Sequence, residues 1–473
     1  MINRFNNLTA KEWLPFQKSW FYYENKFDLY TRNIRFFTKV KLNLQPPEVL
    51  FFGQDDDWEI FRKVCQEQDC RPLKSLEDKT TDLLQFALLD LLDEMSKIND
   101  LGEYHSLRRR VMDQVQQIYS VLEAKRFICL LTANRQIGEC FYPFAWDMAK
   151  WAGKFYTLKD EKIGCSRTPP GEQPPEGNAA FQTRSNAFYT LYFRKDERSG
   201  EEQPQPDNQL FSNICQQSEK ISAGRALSSW YVLKPPPRKR SEILHPAKYP
   251  EQLVEIFIQH FTNENQNVFD PMSGTGSTQL AALKLGRNGY GTELSQLFCQ
   301  LALQRCGDYL AEQPQPRNGI NNNEFKILCR DARELPAGEF PQIDYIITSP
   351  PYWDMLNMKG AEYQTARRMK GLKLNYSDDR QDLGNMKDYH KFLEELLKIY
   401  ENAISLLKPG GYFTVVVKNI KKKGKNYPLA WELAERMQQS MTLLPEVFWL
   451  QDDIRIAPFG FRYTWVSNTF HQY

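Results

Sequence analysis

The chain repeats itself at a fixed interval of 285 residues. Tyr142-Pro143-Phe144-Ala145-Trp146-Asp147-Met148-Ala149 lies against Tyr427-Pro428-Leu429-Ala430-Trp431-Glu432-Leu433-Ala434, and 427 − 142 is 285. The offset holds upstream, bringing Tyr104-His105 onto Tyr389-His390 and Asn134 onto Asn419. It also brings Leu107, Val111, Val115, Ile118 and Leu122 onto Phe392, Leu396, Tyr400, Ala403 and Leu407, in the steps of 3 and 4 that one helical face requires. Each helical pattern leads into an apolar strand, Phe127-Ile128-Cys129-Leu130-Leu131 in one copy and Tyr412-Phe413-Thr414-Val415-Val416-Val417 in the other. Amphipathic helices share an apolar pattern by chance. They do not by chance share Tyr-Pro-x-Ala-Trp with no gap between, and a fixed period of self-similarity comes before any other reading of a fold. Two copies of one helix–strand–helix element are expected.

The second copy carries residues suited to chemistry. A short apolar run, Ile343-Asp344-Tyr345-Ile346-Ile347, reads as a buried strand and leads into Thr348-Ser349-Pro350-Pro351-Tyr352-Trp353. In open α/β sheets, ligands bind at the carboxyl ends of strands. Prolines have fixed φ and no N–H, so the Pro350 carbonyl is presented without rearrangement, as preorganised catalysis requires. The arrangement suits methyl transfer to the exocyclic amino group of a nucleic-acid base. That nitrogen is a poor nucleophile because its lone pair is delocalised into the ring. Acceptors that hold its two hydrogens, Ser349 Oγ and the Pro350 carbonyl, let it move toward a tetrahedral geometry. Tyr352 would stack on a base flipped out of the duplex. The plain alternative is a proline turn with Tyr352 and Trp353 in the core.

A second element lies upstream. Val268-Phe269-Asp270-Pro271-Met272-Ser273-Gly274-Thr275-Gly276-Ser277-Thr278 reads as a strand end, a glycine turn and a helix start. Glycines permit φ > 0 and close approach of backbone to a ligand, and a helix N-terminus favours a carboxylate. The next strand, Gly289-Tyr290-Gly291-Thr292-Glu293, ends in an acid 23 positions after Asp270, the spacing at which an acid meets ribose hydroxyls. A third strand, Phe325 to Cys329, leads to Asp331, placed to accept from an adenine amino group. A dinucleotide site would want Gly-x-Gly-x-x-Gly, and its third glycine is Gln279 here.

Together with Leu244-His245-Pro246-Ala247-Lys248-Tyr249-Pro250, these residues resemble the S-adenosylmethionine-dependent DNA amino-methyltransferases, above all the cytosine-N4 group and its adenine relatives. The likeness covers roughly residues 230–473. It implies a Rossmann-like α/β sheet, with Asp270, Pro271, Gly274 and Gly276 at the methionine end of S-adenosylmethionine, Glu293 on its ribose and Asp331 on its adenine. It implies Ser349, Pro350, Pro351 and Tyr352 as the catalytic segment, acting on double-stranded DNA with a flipped base. A serine at the first catalytic position leans toward cytosine, although some serine-bearing members methylate adenine. Members with this preceding segment usually carry the catalytic motif first and the cofactor loop last; this chain has the reverse order.

The repeat suggests why. Asp82 to Leu89 looks like a strand leading to a catalytic position, but no Ser-Pro-Pro-Tyr follows and no cofactor loop is evident. Residues 1–153 are therefore expected to be a degenerate, methyltransferase-like catalytic half. Residues 154–232 would be a linker and target-recognition region, broken by Pro169 to Pro175 and Gly200 to Pro206. Residues 233–473 would be the catalytic domain. The first copy continues into the strand Asn186 to Lys195, whereas the second stops at Tyr473; either the chain lacks the end of its last strand or a separately encoded partner continues it.

Bulk properties set the remaining bounds. The 473 residues, 41% hydrophobic, suffice for two or three domains. Nine cysteines follow no metal or disulfide spacing, which points to buried thiols in a prokaryotic cytoplasm. No metal and no membrane span are expected. With a net charge of only +2, DNA contact needs grouped basic residues. Three groups stand out: Arg238-Lys239-Arg240, then Arg367-Arg368 with Lys370 and Lys373, then Lys421-Lys422-Lys423 with Lys425. Trp20-Phe21-Tyr22-Tyr23, with Phe27 and Tyr30, reads as core rather than as a base-stacking platform. An RNA base methyltransferase and a non-catalytic DNA-binding subunit are the rival functions, and a restriction nuclease is a conceivable companion.

Overall fold

The computed structural model describes residues 5–41, 44–138, 140–166, 187–196, 227–233, 250–313, 323–335, 338–351, 353, 382–422, 425–451 and 464–472. Tyr352, the His245–Tyr249 segment, the first two basic groups, Lys423 and both proline-rich stretches lie outside them.

Two sheets dominate. The first takes its strands from β1 (Trp20–Tyr23), β2 (Glu48–Phe52), β3 (Arg71–Leu73), β4 (Leu84–Asp90), β5 (Leu122–Thr132), β6 (Thr157–Ser166) and β7 (Ala187–Arg194), in the order β1-β6-β7-β5-β4-β2-β3. Helices α1 (Lys26–Phe37) and α2 (Asp55–Glu67) flank β2, α3 (Leu101–Val121) precedes β5, and α4 (Phe144–Ala152) follows it. The second sheet uses β8 (Trp230–Val232), β9 (Asn267–Asp270), β10 (Asn288–Thr292), β11 (Phe325–Leu328), β12 (Ile343–Thr348), β13 (Leu407–Val417), β14 (Val447–Leu450) and β15 (Thr464–His471). Their order is β8-β14-β15-β13-β12-β9-β10-β11. Its helices are α5 (Glu251–Phe261), α6 (Ser277–Lys284), α7 (Gln296–Glu312), α8 (Tyr389–Ile404) and α9 (Leu429–Met437). β7 and β15 run antiparallel to their neighbours within otherwise parallel sheets. This is the Rossmann-like α/β arrangement.

The repeated helices form for the same local reasons. Asp100 caps α3 by accepting the Glu103 N–H, and Asp388 caps α8 by accepting that of Lys391. Their expected apolar faces are buried: Leu107, Val111, Val115 and Ile118 in one, Phe392, Leu396, Tyr400 and Ala403 in the other. Each large side chain so buried stabilises the fold by about 1.5–3 kcal/mol.

The strand registers coincide more widely than the repeat in sequence. Phe86 pairs with Phe127 as Tyr345 pairs with Tyr412, and Val49 pairs with Phe86 as Val268 pairs with Tyr345. Trp20 pairs with Ile163 as Trp230 pairs with Phe448. Even the ends of α1 and α5 match, where Thr38 and Thr262 each donate a hydroxyl to the carbonyl four residues back. The sequence reading expects a catalytic half over residues 1–153. The sheet instead draws on β6 and β7 beyond that boundary, and it includes a strand–turn–helix, β2 to α2, where β9 and α6 stand in the second unit. The reason this pattern escaped is that β2 and its turn carry no glycine-rich signature.

The two units meet through the repeated segments, about a pseudo-twofold axis. Trp146 stacks on Trp431 at 6.2 Å and 16°, and Lys150 pairs with Glu435 at 3.0 Å, each residue meeting its own counterpart. Asn134 accepts the Ala145 N–H and donates to both oxygens of Glu446; Asn419 accepts the Ala430 N–H and donates to both oxygens of Glu161. Residue i meets j while the counterpart of j meets that of i, the pattern of an isologous dimer contact within one chain.

Burial pushes the Glu446 carboxyl up to about 8 from an ordinary 4.5, and Glu161 up to about 7. The folded state therefore holds protons more tightly than the unfolded chain in this range, so this contribution favours folding at low pH and is lost as pH rises through the folded values. Glu446→Gln keeps hydrogen-bonding capacity but removes the titration. Thermal melting across pH should show the variant gaining on the parent between about 4.5 and 8. A constant difference over that range would contradict the assignment.

Candidate active site

The carboxyl ends of β9, β10, β11 and β12 share one edge of the second sheet, and the expected residues gather there. Asp270, 1% exposed, is the centre. Its Oδ1 accepts from Thr348 Oγ1 at 2.7 Å and from the Met272 N–H at 3.0 Å, and its Oδ2 accepts from Thr278 Oγ1 at 2.7 Å. One carboxylate thus ties the loop Pro271–Gly276, the first turn of α6 and the last residue of β12. The loop is braced on its far side, where Thr292 donates to the Pro271 carbonyl. Gly276 has φ +74°, and a Cβ there would come within 2.9 Å of Ala302 Cβ on α7. Glycine is needed twice over, for conformation and for packing. Gly274 also has positive φ.

Glu293 follows β10 and receives the Gly274 N–H on one oxygen and the Ser295 N–H on the other, both at 2.8 Å. Burial pushes its carboxyl up to about 7 despite those donors, and the negative charges of Asp270 and Asp382 add to the shift. Asp331 caps the short turn Ala332–Glu334 and is gripped by the Arg333 fork, which also holds Glu395 of α8. A carboxylate oxygen accepts more than one hydrogen bond, so Asp331 keeps capacity for a ligand.

Ser349, Pro350 and Pro351 directly follow Thr348, with Pro350 buried and its two neighbours half-buried. Trp353 anchors the far side of this turn. It is 3% exposed, packs on Tyr389 at 5.1 Å and Tyr427 at 4.8 Å, and has Lys422 Nζ 3.8 Å from its ring. Lys418 is buried just past the end of β13, the strand beside β12, and burial pushes its ammonium down to about 7. Sequence reasoning passed over Thr278, Thr348 and Lys418. The usable signal was a hydroxyl or cation at the end of an otherwise apolar strand or at the first turn of a helix.

Other expectations change. Cys299 and Cys329 form a disulfide between α7 and the residue after β11, contrary to the expectation of thiols alone. Their approach depends on the β10–α7–β11 crossover, which no short cysteine spacing reveals. In the third basic group, Lys421 pairs with Asp160 of the first unit at 3.5 Å and Lys422 covers Trp353, so both serve packing. Trp20 and Phe21 are core as expected, and Trp20 Nε1 donates to the Gln451 carbonyl across the interface. Among the described residues no helix is long and apolar enough to cross a membrane.

The matching edge of the first sheet is filled from within. By register, Asp90 stands where Ser349 stands, and Phe51 where Asp270 stands. Asp55, the start of α2, follows Phe51 by four positions, whereas Ser277 follows Asp270 by seven. Lys26 reaches in to Asp93 at 2.6 Å, to Asp90 at 3.5 Å and to Asp57, while Tyr30 donates to Asp90 at 2.6 Å.

Residues 76–304, just under half of the chain, match the model of a DNA methylase family, N6_N4_Mtase. The match begins before β4 of the first unit and ends within α7 of the second. Among curated proteins, the orphan methyltransferase M.BamHII of Bacillus amyloliquefaciens is 41% identical over 66 residues, 14% of this chain and 25% of the relative. The type II methyltransferase M.BglII of Bacillus subtilis is 32% identical over 81 residues, 17% of this chain and 21% of the relative. The type II methyltransferase M.HindIII of Haemophilus influenzae is 34% identical over 82 residues, 17% and 26%. The chain thus spans about a quarter of the length of these relatives. The likeness is to amino-methyltransferases of DNA.

The Asp270 network can be tested without any ligand. Thr348→Val and Thr278→Val preserve shape but each removes one donor to a buried carboxylate, at a cost of about 1.5–3 kcal/mol. Urea unfolding should show both losses, and the double variant should depart from additivity because the two share one partner.

Proposed function

We propose that this protein transfers a methyl group from S-adenosylmethionine to the exocyclic amino group of cytosine, at N4, in double-stranded DNA, in the setting of restriction-modification. The observation that carries the reading is the Thr348–Asp270 hydrogen bond. It sets the residue before the Ser-Pro-Pro segment directly against the loop suited to the methyl donor.

The residues present fit such a donor. The α6 N-terminus and the positive-φ glycines of the loop suit a carboxylate approaching the backbone, with Asp270 and Pro271 bounding it. Glu293 offers a desolvated acceptor for ribose hydroxyls, and Asp331 one for the adenine amino group. When bound, S-adenosylmethionine supplies an electrophilic methyl carbon on a sulfonium.

The protein's own residues prepare the nucleophile. Ser349 Oγ and the Pro350 carbonyl accept the two amino hydrogens, freeing the lone pair to attack the methyl carbon. The new N–C bond forms as the S–C bond breaks, and the surplus amino proton leaves by way of its acceptor to solvent. Tyr352 would hold the flipped base by stacking. Pro351 stiffens the segment, and Trp353 fixes its exit.

The two units read as tandem copies of one methyltransferase. In the first, a phenylalanine, a shortened loop and the Lys26 cluster replace the donor site, which leaves one catalytic position per chain. The span of the family match, from β4 through the cofactor loop, has the motif order of the relatives named by the resemblance, assembled across both copies.

Radiolabelled methyl transfer to DNA, with nucleosides identified by mass spectrometry, should yield N4-methylcytosine. Ser349→Ala should lower the rate by at least about 100-fold, the scale of removing one preorganised group at the reacting centre. Full activity in that variant, or N6-methyladenine as product, would each refute a stated part of the proposal. Donor affinity should also follow pH. Ribose hydroxyls favour the charged form of Glu293, so binding should tighten as pH rises through about 7. Glu293→Gln should flatten that dependence in equilibrium titrations.

A further inference from the structure

In the first unit, a cavity of about 400 Å3 opens between β1, the start of α1 and the short helical segment Leu14–Gln17. Phe16, Phe21, Tyr22, Tyr23, Thr31 and Arg32 contribute to its wall. Its size is that of a small-molecule site.

Arg32 is the residue to explain. Its guanidinium lies 4.4 Å from the Phe21 ring centroid and 5.3 Å from that of Phe16. Its hydrogen bond goes from Nη2 to the Pro15 carbonyl at 3.5 Å, the outer limit for such a bond. A guanidinium carries five donors, so most remain to be satisfied. Thr31 Oγ1, next in sequence, is buried with no hydrogen-bond partner among the described residues. Three carboxylates also belong to the wall: Glu12, held by Thr9 and Arg35, Asp28, held by Asn25, and Glu24. Burial depresses the guanidinium pKa.

Nor is the arginine inherited from the methyl-transfer arrangement. The matched threonine caps place Arg32 opposite Ile256 of α5. The first unit has therefore put a half-buried cation where the second has an apolar side chain. Such a group, among flat aromatic faces, suits a ligand combining an anion with a planar ring.

We propose that the first unit binds a nucleoside monophosphate group in this cavity, its phosphate on Arg32 and Thr31 and its base against Phe21 and Tyr23, which share one face of β1. The same chemistry is presented by a free nucleotide and by an unpaired nucleotide of DNA. The inference does not rest on the methyl-transfer reading.

The test is calorimetric titration of the full chain, with excess S-adenosylhomocysteine to block any donor site. The probes are the deoxynucleoside 5′-monophosphates, a short single-stranded oligonucleotide and inorganic phosphate. Saturable binding is expected, at least about tenfold weaker in Arg32→Met than in the parent. Tyr23→Ala should weaken nucleotide binding and leave inorganic phosphate unaffected. Thermal melting of both variants separates loss of the site from loss of the fold. Tighter binding of the oligonucleotide than of its nucleotides makes DNA the source; the reverse makes it a free nucleotide. The proposal is overturned if no nucleotide saturates, if a folded Arg32→Met binds as the parent does, or if phosphate alone binds as well as the nucleotides.

Discussion

A single buried carboxylate, Asp270, sets the geometry on which the candidate site depends. It is charged, almost wholly removed from water, and satisfied by three donors from three different elements: the Met272 N–H of the loop, Thr278 of α6 and Thr348 of β12. A buried charge so held cannot shift without leaving itself or a partner unsatisfied. The loop and the catalytic turn are therefore fixed to one another. Glu293 extends the same logic one strand further, by accepting the Gly274 N–H from that loop. Burial pushes the Glu293 carboxyl up, and the negative charges of Asp270 and Asp382 add to the shift. A ligand that brings hydroxyl or ammonium donors replaces the solvation lost there.

The first unit shows what happens when this carboxylate is lost. With Phe51 in its place the three-donor arrangement has no centre, and the turn that follows is shorter. The space is taken by a lysine with three aspartates around it, and Tyr30 completes the set. Lys26 and Tyr30 thus bind the aspartates from within the unit, and the edge is occupied by its own side chains. The same sheet order therefore supports an open acidic edge in one unit and a sealed one in the other. The difference lies in a handful of side chains rather than in the backbone.

Much of the second unit was legible because its information is local. The apolar run before Thr348, the glycines between Asp270 and Ser277, and the 3-and-4 steps of α8 all write their structure in neighbouring residues. The first sheet was only half legible. Glu48-Val49-Leu50-Phe51-Phe52 is a plain apolar strand, and nothing in it points to Val268 except its register against Phe86. Long-range pairings escaped for the same reason. The approach of Cys299 to Cys329, the reach of Lys26 into the sheet edge and the contact of Asn134 with Glu446 exist only once strands distant in sequence lie side by side. The pairing of Lys421 with Asp160 escaped likewise, because its partner belongs to the other unit.

The pattern of retention between the units carries its own argument. Where counterparts meet across the pseudo-axis, identity or function is kept: Trp146 with Trp431, Asn134 with Asn419, Glu161 with Glu446. Where a methyl donor would sit, it is lost. A unit maintained for its own chemistry would show the reverse, since interface residues tolerate exchange better than residues that touch reacting atoms. The asparagines make the point physically. Each uses its carbonyl to start a helix and its amide to satisfy a buried carboxyl group of the other unit, so replacing one leaves both an open helix end and a buried carboxyl short of its hydrogen bonds. The first unit is thus held in place by what it does for the second, and a site of its own would have to be one, like the Arg32 cavity, that the second unit never had.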